Sequence, residues 1–322
     1  MSAPPDQDGQ SAPLPRILVV IPTRNRPTDL ARCLESLTTV DYPSWELLIV
    51  DQSDDDAARR LIEACWDRLP ALTYMRTPER GLCRARNIGL KRASTGIVAY
   101  LDDDCTVSAE WLTEVAATFL SHRSATLVFG SFHAVPHDPR QVFVPAVVFE
   151  REREVAGVVR HADSGMGGSM YLWPARSAHR HRFDVHLGSG TRWPAADDWD
   201  YGSRLILAGE TLVLTPRARV SHHGARSLED GAARKLSLGY ALALGAMDMK
   251  MIRCGDREAV WRVLDLLRIY IINVLSALAT GRRPLGLGRL AMYMRGLAES
   301  FLLPVDRVRR LYVTAKPAVR RS

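Results

Sequence analysis

Cysteine is scarce in this chain of 322 residues, which contains only five. They are widely spaced and odd in number, and no two of them form a CxxC pair: Cys33, Cys65, Cys83, Cys105 and Cys254. This pattern gives no support to a disulfide framework or a zinc site. It fits a protein of a reducing cytosol.

The start of the sequence lacks the features of a secretion signal. Residues 1–15 are rich in Ser, Pro, Asp, Gln and Gly, and they contain no basic start followed by an apolar stretch. We therefore expect a disordered leader here rather than a signal peptide.

No uninterrupted apolar run reaches the length of about 20 residues that a membrane span needs. The most apolar segment, residues 259–280, carries two arginines and an aspartate in its first half, which leaves about twelve uninterrupted residues. Residues 285–303 follow, with apolar positions interrupted by two further arginines. We expect one or two amphipathic helices, which would lie on a membrane or pack as a helical pair.

Acidic residues are few near the C-terminus. The chain has a net charge of +7, and residues 281–322 hold ten basic and two acidic residues, a local net charge of +8. A basic end of this kind indicates an anionic partner, either a membrane or a nucleic acid. Aromatic residues are not interleaved with the basic ones as in a nucleic-acid surface. We therefore expect contact with an anionic membrane and no nucleic-acid partner.

Three consecutive aspartates, Asp102, Asp103 and Asp104, are the most informative feature that the chain does contain. They follow the apolar run of residues 97–101, which reads as a buried strand. Carboxylates clustered at a strand end repel one another, and a divalent cation shared with substrate phosphates would offset that repulsion. The alternative is a solvated acidic turn before a helix that starts near residues 108–110.

Strands and helices alternate from residue 16 onward. The predicted strands are apolar without alternation, which is typical of a parallel sheet covered by helices on both faces. They span residues 17–21, 46–50, 72–75 and 97–101, and Pro22 is expected to end the first of them. The predicted helices between them are one capped by Thr28 or Asp29 and two that start near Ala57 and Cys83. Ligands bind beyond the carboxyl ends of such strands. Pro22, Thr23, Arg24, Asp51 and the three aspartates all fall there.

Further elements extend this α/β body. We expect a strand at residues 127–130, a glycine-rich loop at 165–170 that leads into 171–173, a helix that opens at 196–200, and strands at 211–214 and 219–223. The predicted organisation is a leader over 1–15, a catalytic body over 16–230, and a basic helical extension over 231–322.

Taken in order, these pieces resemble the family-two glycosyltransferases of the GT-A fold. The resemblance covers about residues 16–224. It rests on VIPTRNR at 20–26, LIVDQS at 48–53, Gly81 with ARNIG at 85–89, YLDDD at 100–104, GGSM at 167–170, FD at 183–184 with LGSGT at 187–191, DDWD at 197–200 and VSH at 220–222. Residues 239–256 also look like the C-terminal extension of bacterial members.

The resemblance implies a nucleotide-sugar donor, Mg²⁺ or Mn²⁺, and direct displacement at the anomeric carbon with inversion. It assigns Asp102 to ribose or metal, Asp104 to metal and His222 to metal, with His223 as an adjacent alternative. The other residues assigned to the substrate are Pro22, Thr23, Arg24, Asp51, Arg86, Asn87, Asp103, Gly167, Gly168, Asp197 and Trp199. Thr23 and Asp51 suit the base or ribose, Arg24 and Arg86 suit phosphate oxygens, and Asp103 is the weakest of the three aspartates.

The acceptor hydroxyl needs a general base close to its oxygen. The family places this base in an acidic pair at a helix start, and the usual Glu-Asp is Asp197-Asp198 in this chain. We assign the base to Asp198. The alternative reading of Asp197 is a helix N-cap.

The sequence thus predicts an inverting, metal-dependent glycosyltransferase that acts on a carbohydrate or lipid-linked acceptor in cell-envelope polysaccharide or glycolipid synthesis. We expect it in the cytoplasm, peripherally bound to the inner face of the membrane. One alternative is a nucleotidyltransferase, although the glycine-rich loop which that class needs after its first strand is absent. The other is a non-catalytic basic membrane adaptor, against which the intact carboxylates argue.

Overall fold

The parallel half of the central sheet forms as the apolar strands predict. The computed structural model describes residues 14–69, 71–93, 96–157, 167–177, 181–281, 284 and 286–313. Its first elements are β1 (Ile17–Thr23), α1 (Pro27–Leu37), β2 (Trp45–Asp51), α2 (Ala57–Cys65), β3 (Leu72–Arg76), α3 (Leu82–Arg92) and β4 (Ile97–Tyr100). All neighbours in the order β3-β2-β1-β4 are parallel. The register pairs Thr23 with Asp51, so both strands end at one edge.

Two local predictions at this edge are wrong. Pro22 does not end the first strand, because β1 continues to Thr23 and Pro22 pairs with Val50. Neither Thr28 nor Asp29 caps α1, which begins at Pro27 with Arg26 in the cap position and no side-chain cap. Proline is suited to a first helical position because its fixed φ is already helical and no N–H is needed there.

The second half adds antiparallel neighbours to the sheet. It contains β5 (Cys105–Thr106), α4 (Trp111–Ser121), β6 (Ala125–Ala134), β7 (Val142–Phe143), β8 (Arg153–Val155), β9 (Ser169–Leu172), α5 (Asp197–Leu207), β10 (Thr211–His222) and β11 (Arg226–Ser227). The sheet continues from β4 through β9, β6 and β10 to β5, and only the β6–β10 pair in this part is parallel. The two strands predicted at 211–214 and 219–223 are one strand, β10.

The core lies on both faces of the sheet, as predicted. Successive residues of β1 point to opposite faces, so Val19 and Ile21 pack in one cluster with α1 and α4, while Leu18 and Val20 pack in another with α3 and α5. The sheet is therefore buried on both sides, and its ends present the polar residues.

Three helices form the C-terminal extension: α6 (Ala232–Arg253), α7 (Arg257–Ala279) and α8 (Leu287–Phe301), followed by β12 (Val305–Asp306) and β13 (Leu311–Tyr312). Helices α6 and α8 cross in close contact at glycines. A Cβ on Gly245 would lie 2.1 Å from the Tyr293 carbonyl oxygen, and one on Gly296 would lie 2.1 Å from the Leu242 carbonyl oxygen. The extension is therefore packed as a helical unit.

Helix α7 differs from its two neighbours because much of its apolar surface is exposed. Eight of its large apolar side chains are more than 40% exposed: Val260, Trp261, Leu264, Ile269, Ile271, Ile272, Leu275 and Leu278. Within the described ranges, every helix is too short or too polar to traverse a bilayer. Parts of three predicted segments lie outside the described residues. They are residues 1–13 of the leader, residues 165 and 166 of the glycine-rich loop, and residues 282, 283 and 314–322 of the basic tail.

Candidate active site

A cleft of about 680 Å³ opens at the carboxyl ends of β1 and β4. Thirteen of the sequence-predicted site residues line it: Pro22, Thr23, Arg24, Arg86, Asp102, Asp103, Asp104, Gly167, Gly168, Asp197, Asp198, Trp199 and His222. The fold thus gathers residues from both halves of the chain at one end of the sheet.

Two predicted substrate residues, Asp51 and Asn87, are not among those lining the cleft. Asp51 is buried, and its two carboxylate oxygens accept hydrogen bonds from the Ser53 N–H (2.8 Å) and the Tyr74 hydroxyl (2.7 Å). The Asn87 amide donates to the Phe183 carbonyl (3.0 Å) and accepts from the Phe183 N–H (2.9 Å). The polar atoms of both side chains are therefore bonded within the protein.

Asp103 has internal partners. Its Oδ2 accepts a hydrogen bond from the Thr23 hydroxyl at 2.8 Å, and its Oδ1 lies 3.2 Å from Nη1 of Arg26. Burial raises the pKa of Asp103 to about 6, although Arg26 and Thr23 favour its charged form. Asp103 and Thr23 therefore tie the segment after β4 to the end of β1.

Arg26 was not assigned from the sequence, although it closes the VIPTRNR motif. Its Nη1 lies between two of the three aspartates, 3.2 Å from Asp103 and 3.1 Å from Oδ2 of Asp104. The guanidinium offsets part of the repulsion between these carboxylates. The local signal that could have identified Arg26 is its position at the end of a strand motif that faces the aspartates.

Asp104 and His222 face each other across 3.5 Å, between Oδ2 and Nε2. The ring Nδ1 of His222 lies 2.9 Å from the Pro145 carbonyl oxygen, which can only accept, so Nδ1 carries a proton. Burial opposes charge on both groups. Their mutual hydrogen bond and attraction nevertheless raise the pKa of His222 and hold the pKa of Asp104 below its usual value. His223 instead places its Nε2 3.0 Å from the Thr106 hydroxyl, so His222 is the histidine that faces the aspartates.

The space beside Asp104 and His222 suits a cation. A Cβ on Gly224 would lie 2.3 Å from Nε2 of His222 and 2.7 Å from Oδ2 of Asp104, so any side chain at this position would displace one of these two atoms. A carboxylate oxygen and an imidazole nitrogen are ligands that Mn²⁺ accepts. In the described part of the chain, no three His, Cys, Asp or Glu residues are close enough together to enclose a metal by themselves.

Arg86 links two parts of the cleft. Its Nη1 donates to Oδ2 of Asp197 at 2.5 Å, and its Nη2 lies 3.4 Å from Oδ1 of Asp102. The side chain is buried, and the neighbouring carboxylates raise its pKa against the effect of burial. Because both Nη atoms of Arg86 contact protein carboxylates, its guanidinium is less available to bind phosphate than the sequence suggested. Arg24 lines the cleft and lies 3.3 Å from Asp54.

The acidic pair stands at the start of α5. The predicted N-capping by Asp197 is wrong: Ala196 is the cap residue, with φ of 63° and no side-chain cap, and Asp197 bonds to Arg86 instead. Asp198 accepts a hydrogen bond from the Trp199 N–H at 2.8 Å. A Cβ on Gly167 would lie 2.8 Å from Oδ2 of Asp198, so the glycine leaves access to that oxygen.

Asp198 has a pKa suited to proton transfer near neutral pH. Burial, followed by the negative charge of Asp197, raises the pKa of Asp198 to about 7, and Arg86 only partly opposes this. A general base is most effective when its pKa lies near the working pH. The cleft therefore contains a carboxylate that can accept a proton there.

The cleft continues over the C-terminal helices. This part, which we call the annex, is lined mostly by apolar and aromatic side chains: Leu236, Tyr240 and Leu244 of α6, Leu266 and Tyr270 of α7, and Arg289 and Tyr293 of α8. Burial, and then the charge of Asp198, raise the pKa of Tyr240 to about 12. This surface could not be assigned from the sequence, because residues of three separate helices form it.

Comparison with known proteins finds similarity in the first half of the chain. Residues 18–155 match the family model described as Glycosyl transferase family 2. The glycosyltransferase AglE of Haloferax volcanii is 32% identical over 123 residues, which are 37% of this chain and 40% of that protein. The succinoglycan biosynthesis protein ExoM of Rhizobium meliloti is 29% identical over 204 residues, 62% of this chain and 63% of that protein. The chain thus spans less than two thirds of the length of either relative.

Solved structures share the fold. The structure of Staphylococcus aureus TarS 1–349 in complex with UDP-GlcNAc superposes with a TM-score of 0.60 at 16% identity, over 88% of this chain and 80% of that one. The mannosyltransferase PcManGT of Pyrobaculum calidifontis, in complex with GDP-Man and Mn²⁺, gives 0.57 at 18% identity, over 89% and 87%. The predicted α/β architecture with a helical C-terminus is confirmed.

Proposed function

We propose that the chain is a family 2 glycosyltransferase, an inverting enzyme that moves a sugar from a nucleotide-sugar donor to an acceptor hydroxyl. The observation that carries the proposal is the chain of contacts Asp102–Arg86–Asp197. It connects the aspartate cluster at the end of β4 to the acidic pair at the start of α5. Donor-binding and proton-accepting groups therefore share one cleft.

In this proposal Asp198 is the general base. Deprotonation of the acceptor hydroxyl makes its oxygen nucleophilic as it attacks the anomeric carbon, and the diphosphate leaves from the opposite side. Asp197 is neutralised by Arg86, so the charge that remains for proton acceptance is on Asp198. The raised pKa of Asp198 supports this assignment.

The proposal includes Mg²⁺ or Mn²⁺ at Asp104 and His222, with Asp102 toward the donor. When bound, the cation would neutralise charge on the leaving diphosphate. The lack of a side chain at Gly224 and the proton on Nδ1 of His222 support these ligands. PcManGT is a fold neighbour whose structure contains Mn²⁺. Arg26 would offset the repulsion between Asp103 and Asp104 in the absence of donor.

The annex supports an acceptor that is partly apolar. Aromatic side chains beside a base suit the apolar face of a sugar ring, and the leucines beyond them suit an alkyl or isoprenoid chain. Arg289 also lines the annex and provides a positive charge for an anionic linkage. We propose a carbohydrate or lipid-linked acceptor in cell-envelope polysaccharide or glycolipid synthesis. That ExoM is named for succinoglycan biosynthesis supports this class.

The exposed apolar side chains of α7 support peripheral contact with an anionic membrane, on its cytoplasmic face. A helix that presents Trp261, Ile272 and Leu275 to solvent on one side is typical of interfacial binding. Arginine and lysine near an anionic bilayer each contribute about 1 kcal/mol.

The test is a panel of nucleotide sugars based on UDP, GDP and dTDP, with Mn²⁺ and short saccharide or polyprenyl-phosphate acceptors. We expect one donor to release its nucleoside diphosphate together with a glycosylated acceptor of inverted anomeric configuration. Asp198→Asn is the matched control, since it keeps shape and removes proton acceptance. Donor binding without sugar transfer in every combination would contradict the proposal.

A further inference from the structure

Lys250 of α6 is a buried cation between two buried carboxylates. Its Nζ lies 2.5 Å from Oδ2 of Asp184 and 2.7 Å from Oδ1 of Asp200. The side chains of all three residues are at most 1% exposed. Asp200 also accepts a hydrogen bond from Nε of Arg204 at 2.9 Å, so two cations and two anions balance here.

Both carboxylates that Lys250 contacts lead to the acidic pair. Asp200 is in the first turn of α5, three residues after Asp197 and two after Asp198. Asp184 starts the loop that runs into α5. In that loop the Leu187 N–H donates to the Asp184 carbonyl oxygen at 3.1 Å. Lys250 thus joins the loop before α5 to the first turn of α5.

The loop in turn contacts the acidic pair. Gly188 has a φ of 90°, and a Cβ there would lie 3.1 Å from the carboxyl carbon of Asp197. The Gly188 N–H donates to the carbonyl oxygens of Trp193 and Ala195, 2.9 and 3.2 Å away. The loop is therefore folded closely against Asp197, and its position limits where that carboxylate can lie.

The end of the described chain reaches the same cluster. The Tyr312 N–H donates to Oδ2 of Asp184 at 2.9 Å, and the Tyr312 hydroxyl donates to the Ala246 carbonyl oxygen at 2.6 Å. Although burial opposes it, Lys250 holds the pKa of Asp184 well below its usual range. The C-terminal extension thus contributes a side chain and a backbone N–H to a charge cluster below α5.

Stability alone does not account for such a cluster. Well-packed apolar residues in place of a buried ion group are often as stable or more so, whereas removal of one partner is strongly destabilising. Buried ionic groups can instead fix one arrangement among several. The arrangement fixed here is the start of α5, which carries Asp197 and Asp198.

We propose that Lys250 is a positioning residue for glycosyl transfer, which holds Asp198 in its working orientation by bridging Asp184 and Asp200. This rests on the proposed function, in which Asp198 is the base. The C-terminal extension is then part of the catalytic apparatus and not only a docking segment. Loss of the bridge lowers kcat, because the base is misplaced, and leaves the donor affinity unchanged, because the aspartate cluster of β4 is intact.

The test compares three variants of the full chain. Lys250→Met leaves two carboxylates with one cation, so we expect lower Tm and lower kcat. Lys250→Met combined with Asp184→Asn restores the charge balance, so Tm should recover while kcat stays at least about 10-fold below wild type. The matched control is Arg262→Met with Asp248→Asn and Asp256→Asn, which removes another buried ion group in the extension, where Arg262 lies 2.9 Å from Asp248 and 3.6 Å from Asp256. It should change Tm without a comparable loss of kcat.

Two outcomes overturn the proposal. One is wild-type kcat in the charge-balanced Lys250 double variant. The other is a loss of kcat in the Arg262 control that is as large as the loss in the Lys250 double variant. If the double variant fails to fold, Lys250→Arg tests the proposal instead. The arginine side chain is longer, so its guanidinium cannot occupy the position of the lysine ammonium without moving a carboxylate. Lower kcat with unchanged Tm and donor Kd supports the proposal, and wild-type kcat contradicts it.

Hydrogen exchange separates this proposal from the function on which it rests. If wild-type protein transfers no sugar, the proposed function fails, but exchange of the amides of residues 197–201 can still be measured. We expect faster exchange there in the charge-balanced Lys250 variant than in the Arg262 control. Equal exchange in the two would contradict a positioning role.

Discussion

Asp197 and Arg86 form a buried ion pair with 2.5 Å between Oδ2 and Nη1, although 111 residues separate them in the sequence. The pair gives the two adjacent carboxylates, Asp197 and Asp198, different electrostatic surroundings. Burial raises the pKa of both carboxyls, but Arg86 opposes this at Asp197 as a permanent cation, while the charge of Asp197 adds to the effect of burial at Asp198 and raises its pKa to about 7. These different surroundings suit Asp197 and Asp198 to different roles, although their side chains are identical.

The first prediction concerns this division. Asp198→Asn keeps the shape of the side chain and removes proton acceptance, so kcat should fall by about 100-fold or more with donor affinity little changed. Calorimetry with the donor nucleotide and steady-state kinetics measure the two effects. A larger loss in Asp197→Asn with intact folding would mean that the base is the other member of the pair.

The second prediction is a pH profile. A base must be ionised to act, and a carboxyl with a pKa of about 7 is ionised only above that pH. We therefore expect kcat/KM to fall about tenfold per pH unit below pH 7, as for a single ionisation. An acid limb near pH 4, the ordinary value for aspartate, would contradict the assignment of Asp198.

The strands and their polar ends could be predicted because the information is local. Apolar runs without alternation indicated β1 to β4, and a polar residue after each run indicated the ligand edge. The same reasoning failed where a neighbour in sequence changed the outcome: Pro27 starts α1 and displaces the predicted caps. Asp51 lies at the predicted strand end, but its two oxygens are bonded to Ser53 and Tyr74.

The partners of buried charges could not be predicted from the sequence. No pattern around Arg86 indicates Asp197, and none around Lys250 indicates Asp184, 66 residues away. These pairs depend on how the loop before α5 and the C-terminal helices pack, which only the tertiary structure specifies. The annex could not be predicted from the sequence either, because its lining residues come from three helices that are separate in the chain.

The third prediction concerns Gly224. A methyl group there would lie 2.3 Å from Nε2 of His222 and 2.7 Å from Oδ2 of Asp104, so Gly224→Ala should weaken Mn²⁺ binding by about tenfold or more, as expected when a ligand atom is displaced. Gly288→Ala is the control, because its Cβ would meet nothing closer than 3.6 Å. Titration with Mn²⁺ followed by electron paramagnetic resonance measures the affinity. Equal affinity in the two variants would contradict a cation beside Gly224.

The fourth prediction concerns Asp104. Asp104→Ala removes a carboxylate that faces both His222 and Arg26, so Mn²⁺-dependent binding of the donor nucleotide should be lost while the fold is retained. Calorimetry with UDP, GDP and dTDP, with and without Mn²⁺, measures this and identifies the preferred base. Unchanged affinity for all three nucleotides would contradict the metal assignment.

The last prediction concerns the membrane contact of α7. Truncation before Ala259 is a poor test, because it leaves buried carboxylates without their partners. It removes Arg262, whose Nη2 lies 2.9 Å from Asp248, and Tyr312, whose N–H donates to Asp184. Point variants on the exposed face avoid this. Ile272→Glu with Leu275→Glu should lower binding to anionic vesicles by about tenfold or more, since charged side chains replace inserted apolar ones.

The measurement is co-sedimentation with vesicles that contain an anionic phospholipid, at low and high salt. Val148→Glu is the control, because Val148 is as exposed as Ile272 but lies outside the C-terminal extension. Wild-type binding should weaken with salt, because basic residues contribute through screened attraction. If wild-type protein stays in the supernatant at low salt, the exposed face of α7 contacts another protein surface, and a second copy of this chain is then the partner to test by light scattering.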